Sequence, residues 1–241
     1  MTKHNLRTTK HNFDQGGIFT ELCEAIDARH SVRAYTERPI EGEVLERLLA
    51  SVTAANAESG LHIQLVRDDG EPFGGLIPKY GKFVNARNYL ALVGKDDANL
   101  AEKCGYYGQK LVLIAQTLGL NTCWVAGTYS KRKVQAEIDA GEKLLLVIAL
   151  GYGQTEGAPH KSKPIEALCK VSGEMPDWFR RGMEAAQKAP TAMNQQKFRF
   201  TLNADGSVTA SSGGSWGKIN LGIVKCNFEL GAGKDGWRWA E

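Results

Sequence analysis

The chain has 241 residues, 42% of them apolar, which suffices for one large domain or two small ones around a sizeable core. Its 30 Lys and Arg stand against 27 Asp and Glu, a net charge of +3, too balanced for a nucleic-acid binder. No apolar run approaches the length that crosses a bilayer, so no membrane partner is expected.

Residues 1–17 are polar and lack the apolar segment of a secretory signal, so they read as a flexible N-terminal tail. Ile18 to Arg29 reads as a helix with Phe19, Leu22 and Ile26 on one face. After Pro39, the 3.6-residue recurrence of Val44, Leu45, Leu48, Leu49 and Val52 predicts a second helix, with Glu41 and Glu43 suited to its start. Leu61 to Val66 alternates and reads as a strand, turned by Asp68-Asp69-Gly70. A loop from Pro72 to Asn85 leads to a short buried strand, Tyr89 to Val93. Ala98 to Leu118 is a long helix ended by Gly119. Asn121 to Val125 is a strand, Ser130 to Asp139 a helix, and Leu144 to Leu150 a continuous apolar strand of a sheet covered on both faces. Further on, Asp177 to Lys188 is helical and Lys197 to Leu202 a strand. Asn203 to Gly206 turns into a return strand, Ser207 to Ala210. Gly217 to Leu230 is a helix closed by Gly231 and Gly233.

The order helix, polar loop, strand, Asp-Gly turn occurs twice. Ala54 to Gly60 in the first half takes the place of Pro190 to Gln196 in the second. Either the chain is a fused pair of related halves or two α+β segments resemble each other by chance. The expected division is a tail at 1–17, a first half at 18–170 and a shorter second half at 171–241.

Cys23, Cys104, Cys123, Cys169 and Cys226 are scattered and form no C-x-x-C, which suits reduced thiols in a cytoplasm. His30, His62 and His160 are isolated in sequence, so no metal site is expected. In Ala28-Arg29-His30-Ser31-Val32-Arg33-Ala34-Tyr35, two guanidinium groups and a hydroxyl fall within five residues. Arginine forks match phosphate oxygens in shape and charge, so Arg29, Ser31 and Arg33 form a candidate phosphate clamp; the alternative is a solvated helix boundary.

Three further segments accompany this one: Ala189 to Gln196 (A-P-T-A-M-N-Q-Q), Gly119 to Gly127 (G-L-N-T-C-W-V-A-G), and Leu150 to Gly153 (L-G-Y-G) followed by His160 to Pro164 (H-K-S-K-P). Together with R-H-S-V-R they resemble the flavin-dependent nitroreductase superfamily. That family's patterns are R-x-S-x-R, A-P-[ST]-x-x-N-x-Q, G-L-G-T-C-W-I-G-G and A-L-G-Y. The resemblance implies an α+β fold of mixed, mainly antiparallel sheets flanked by helices, and a bound FMN. In ordinary members the Asn-containing loop follows the first clamp directly, and each flavin sits between two subunits. Here the better match lies in the second half. That implies a single-chain pseudo-dimer with two pseudo-repeated halves and one flavin site, a monomer or a weak homodimer.

The resemblance assigns the FMN phosphate to Arg29, Ser31 and Arg33 on one side and to Lys161 and Lys163 on the other. His30 would contribute its backbone, and the two lysines would otherwise be a solvated loop. Asn194 would meet the pyrimidine edge of the flavin, lined also by Pro190, Thr191 and Ala192. Gln196 would pack nearby, although Lys197-Phe198 replaces the family's Pro-Trp. Backbone N–H groups of Ala126 and Gly127, in the loop Trp124-Val125-Ala126-Gly127, would face flavin N5, with no catalytic side chain required. Trp124 either packs on the ring or sits in the core, and Ala126 stands where some relatives have an acidic residue. The implied reaction is ping-pong. NAD(P)H, bound transiently, reduces the flavin, and a small-molecule acceptor such as a nitroaromatic or quinone reoxidises it. Alternatives are a flavin store or sensor without turnover, a structural protein, and another reaction of the family such as dehalogenation or flavin destruction. Glu71 to Val84, with Lys79, Tyr80 and Lys82, is either a lid over the site or a surface loop.

Overall fold

The computed structural model describes residues 15–74, 82–233 and 236–240. The expected tail therefore lies outside the described residues up to position 14, and helix α1, Gln15–Ala28, already occupies its last positions. Lys79 and Tyr80 of the expected lid also lie outside the described residues, whereas Lys82 is described and exposed. Among the described residues no helix is long and apolar enough to cross a membrane.

Helix α2, Gly42–Ser59, runs further than its apolar recurrence predicted. Ala54 to Ser59, read as a loop, are its last turns, and the loop expectation is corrected here. Alanines favour the helix. Gly60, at φ 69°, ends it in the left-handed conformation that a side chain resists. Asn56 completes the join to the sheet, accepting from the Ile63 N–H at 2.8 Å and donating to the Ile63 carbonyl at 2.9 Å.

The first sheet holds β1 (Gln64–Val66), β2 (Asn88–Lys95), β3 (Asn121–Val125) and β4 (Glu142–Gly151), in the order β1-β2-β4-β3 and antiparallel throughout. The apolar run of β4 has the expected cause. Ile148 and Leu150 enter one core, while Val147 and Ala149 enter a second on the opposite face. Helix α3, Leu100–Thr117, lies between β2 and β3 in sequence and packs on β2, β3 and β4.

The expected helix from Ser130 to Asp139 is absent. A single 3-10 turn spans Lys131–Lys133, and the chain then runs extended. The Gln64 side-chain amide holds it, Nε2 donating to the Glu137 carbonyl at 2.7 Å and Oε1 accepting from the Glu137 N–H at 2.9 Å. The Tyr89 hydroxyl accepts from Gln135 N–H at 2.9 Å. Val134 and Ala136, two residues apart, both pack on the second core, so the operative period is two and not 3.6.

Past a one-turn helix α4, Ile165–Leu168, a second sheet runs β5 (Cys169–Val171), β6 (Phe198–Leu202), β7 (Ser207–Ser212) and β8 (Arg238–Trp239). β6 and β7 form an antiparallel hairpin through the Asn203–Gly206 turn, and β5 and β8 add in parallel at the edges. The expected division between residues 170 and 171 falls inside β5. Helices α5, Asp177–Gln187, and α6, Gly217–Ala232, complete this part. The order α2–β1–β2–α3 thus recurs as α5–β6–β7–α6, while β3 and β4 have no counterpart among the described residues of the second part. Gly233 ends α6, but Gly231 lies inside it, where a Cβ would stand 2.4 Å from the Arg181 carbonyl oxygen.

α3 and α6 are the junction between the two parts. A Cβ on Gly105 would lie 2.1 Å from the Ile219 carbonyl oxygen, and one on Gly222 would lie 2.0 Å from that of Glu102. Only glycine lets these backbones meet. One hydrophobic core consequently runs from Leu48 and Leu111 through to Phe200 and Phe228.

Candidate cofactor site

Immediately after α1 the chain stretches along β3. Val32 N–H donates to the Thr122 carbonyl at 3.1 Å, and the Tyr35 hydroxyl donates back to the Val32 carbonyl at 2.7 Å. Val32 and Tyr35 anchor the segment in the second core. Arg29, His30, Ser31 and Arg33 are left lining a cavity of about 480 Å³. Its volume lies within the ~300–1,000 Å³ common for small-molecule and cofactor pockets.

Arg29 is 4% exposed, and its Nη1 has no hydrogen-bond partner among the described residues. Burial lowers its pKa to about 10, so the side chain remains a cation near neutral pH. A buried guanidinium without a carboxylate is costly. Arg33 and Lys161 add positive charge on the same cavity, and Lys188 adds more while ion-paired to Asp27. The concentration of cations fits a doubly charged anion.

The opposite wall is the loop that follows α5. Pro190, Thr191, Ala192 and Asn194 line the cavity with Met193. Met193, Asn194 and Gln196 have φ of 53°, 52° and 46°. Such backbone is tolerable for Asn and strained for the other two, a condition that concentrates at functional sites. Cross-links hold it. Asn194 Nδ2 donates to the Lys161 carbonyl at 2.7 Å, Ala192 N–H donates to Asn220 Oδ1 at 3.1 Å, and Gln196 N–H donates to Thr191 Oγ1 at 3.1 Å.

Two expected site residues hold this loop rather than line the cavity. Lys163 Nζ donates to the carbonyls of Gln195 at 2.8 Å and Gln196 at 3.2 Å. Gln196, buried, accepts from Lys163 N–H at 2.6 Å and donates to the Gln187 carbonyl at 2.7 Å. Of the Trp124–Gly127 segment, Trp124 and Ala126 line the cavity; Val125 points into the second core and Gly127 is exposed outside the lining. Trp124 packs on the main core, as one of its two expected settings has it, and also lines the cavity. Its Nε1 donates to Gln109 Oε1 at 3.3 Å, Gln109 donates to Asn227 Oδ1 at 2.9 Å, and Asn227 donates to the Ala185 carbonyl at 3.0 Å. This buried chain ties β3 to α5 through α3 and α6.

A family model described as "Putative TM nitroreductase" matches residues 21–232. The chain belongs to the nitroreductase family. A solved structure of a "putative nitroreductase" from Thermotoga maritima is 19% identical, covering 95% of this chain and 88% of that one, with a TM-score of 0.62. The two share a fold. A second, from Desulfovibrio desulfuricans and in complex with FMN, is 18% identical over 64% of this chain and 98% of that one, TM-score 0.49. A third, described as a "putative NADH dehydrogenase/NAD(P)H nitroreductase" from Bacteroides thetaiotaomicron, is 19% identical over 61% and 95%, TM-score 0.49. No match was found among curated proteins.

In this nitroreductase-family chain, sequence reasoning missed several cavity residues: Cys123, His160, Gln187, Lys188, Trp216, Asn220 and Ile223. Asn220 carried a signal, an amide inside an apolar helix. His160 adjoins Lys161, so the strap that brings one brings the other. Away from the cavity, His62, Asp139 and Glu142 each place one potential ligand atom within 4.8 Å of the others, a grouping that sequence spacing hid. His62 Nδ1 and Glu142 Oε2 are already hydrogen-bonded at 2.8 Å.

Proposed function

We propose that this chain is an FMN-dependent oxidoreductase. In this reading NAD(P)H delivers hydride to flavin N5, and a nitroaromatic, quinone or similar flat acceptor then takes the electrons in a ping-pong cycle. The observation that carries the reading is Arg29, a cation buried at a cavity wall with no ion-pair partner among the described residues. A family whose implied cofactor ends in a phosphate accounts for that cost, and the donor set fits the group. Bound FMN supplies the hydride-accepting and electron-donating chemistry.

The chain supplies position and environment. Arg29, Ser31, Arg33 and Lys161 hold the phosphate end through charge-assisted bonds. Asn194, fixed by its bond to the Lys161 carbonyl, presents an amide to the flavin's polar edge beside Thr191 and Ala192. Lys163 and Gln196 keep that strained loop in place, so their contribution is to shape. Trp124, tethered by Gln109, forms apolar wall, and the backbone of Ala126 and Gly127 is assigned to N5. No side chain is asked to act as general acid or base.

The clamp and the Asn194 loop belong to one chain, which supports one flavin per chain and a pseudo-dimer of two related halves. The five cysteines, all free, support a reducing cytoplasm as its place.

The test is a visible spectrum of the purified chain after FMN is added and excess removed by desalting. About one retained FMN per chain that is bleached by NADPH and recoloured by a quinone is the expected result. Retained flavin that NADPH does not bleach replaces the enzyme with a flavin store. No retained flavin overturns the reading.

A further inference from the structure

Near Arg29 the same wall holds a second orphan. His160 lines the cavity, and its ring centroid lies 4.8 Å from that of His30, tilted by 42°. His160 Nε2 is buried with no hydrogen-bond partner among the described residues, as is Arg29 Nη1. Each ring has one backbone partner, His30 Nδ1 lying 3.2 Å from the Glu156 carbonyl oxygen and His160 bonding the Asp27 backbone, but of the two only His160 is found with a second nitrogen buried and unpaired among the described residues. The strap that bears His160 is held closely there: a Cβ on Gly157, at φ 82°, would fall 2.7 Å from His30 Cβ.

The groups facing His160 come from three elements. Arg29 and His30 follow α1, Lys188 follows α5, and Lys161 is next in its own strap. Asp27, the nearby carboxylate, is ion-paired to Lys188, and its backbone hydrogen-bonds His160. Burial first, and then Arg29, His30 and Lys188, hold the His160 pKa below the ordinary histidine value; the Asp27 backbone bond opposes them. In the chain alone these causes favour the neutral imidazole. A phosphate ester brings nearly two negative charges, and the resulting field favours the imidazolium. Arginine and lysine have no proton to gain. A neutral imidazole has one vacant nitrogen.

Resting on the FMN reading of this cavity, we propose that His160 is a further phosphate-recognising residue, which takes up one proton from solvent when the phosphate end of FMN docks beside Arg29. The proton goes to the second ring nitrogen, and His160 then meets the phosphate as a cation. Riboflavin, which has no phosphate, leaves His160 neutral.

Calorimetric titration of the full chain with FMN and with riboflavin, in two buffers of different ionisation enthalpy at about pH 7.5, counts the protons. The phosphate is mostly dianionic there, its second pKa being about 6, and releases little. The wild type is expected to take up close to one proton per FMN and none per riboflavin. FMN affinity should fall toward tenfold per pH unit where only the complex holds the proton. His160→Gln should abolish the uptake, weaken FMN about tenfold and leave riboflavin unchanged, which also reports that the variant is folded. His30→Gln should retain the uptake. FMN binding by the wild type without proton uptake, or uptake that persists in His160→Gln, overturns the proposal while the FMN reading stands. Failure of the wild type to bind FMN at all overturns both.

Discussion

Arg29 combines a full charge with a setting that is 4% exposed and gives its Nη1 no partner among the described residues. Stability and binding should therefore separate at this residue. Arg29→Met removes a buried charge while keeping apolar bulk, and the flavin-free variant is expected to melt above the wild type. Losing one partner of a buried charge pair costs about 2–5 kcal/mol, so FMN affinity should fall on the order of 100-fold. Thermal melts with and without FMN check both effects, and a variant that still gains the wild-type shift with FMN would show that Arg29 is not the phosphate ligand. A second residue-scale effect lies at Glu142. Its hydrogen bond with His62 holds its pKa below the ordinary glutamate value, with burial opposing and the Asp139 N–H assisting. A depressed carboxylate contributes stability that is present above its unfolded pKa and is lost as pH falls through the folded one. Glu142→Gln should therefore unfold at lower urea than the wild type at about pH 6, and the gap should close by about pH 3. A gap constant over that range would remove the His62–Glu142 contact from the stability of this fold. The candidate clamp was legible because Arg29, Ser31 and Arg33 are neighbours in sequence. The burial of Arg29 was not, since it depends on β3 and the 158–162 strap closing over it.

Between elements, the crossing of α3 and α6 rests on Gly105 and Gly222. Helix propensity alone favours Gly222→Ala by about 1 kcal/mol. Packing opposes it, because the new methyl would meet the backbone of Glu102 at 2.0 Å, and a backbone cannot swing aside as a side chain can. Overpacking of about 1–3 kcal/mol or more wins, so Gly222→Ala should be less stable in urea, while an equal or higher midpoint would refute the close crossing. The elements themselves were unevenly legible. Asn121 to Val125 and the hairpin from β6 to β7 follow from local pattern and an Asn-Ala-Asp-Gly turn. Ser130 to Asp139 did not, because what decides its shape lies far away in sequence. Gln64 and Tyr89 supply its hydrogen bonds, and Val134 and Ala136 take their places in a core built from other strands. The same cause misled the reading of Ala54 to Ser59, whose helical end is sealed by the bond between Asn56 and Ile63.

At the scale of the molecule, one core joins Leu48, Leu111, Leu146, Phe200 and Phe228, and α3 packs on α6 as well as on α2 and the first sheet. Unfolding should accordingly be a single cooperative transition, with far-ultraviolet dichroism and tryptophan fluorescence coinciding. A chain ending at residue 170 should not fold, having lost the partner of Gly105. Two separated transitions would mean that the halves are independent. The sequence by itself determined the family, the paired cations after α1, the Asn194 loop and most strands, because each is written in neighbouring residues or in a short period. Only the tertiary structure decided that the 187–194 loop and the start of α6 come to face Arg29 and Trp124, that Lys163 and Gln196 hold the loop rather than line the cavity, and that His160 lies against His30. Those facts depend chiefly on contacts between segments distant in sequence, and no local periodicity encodes which distant surface a segment will meet.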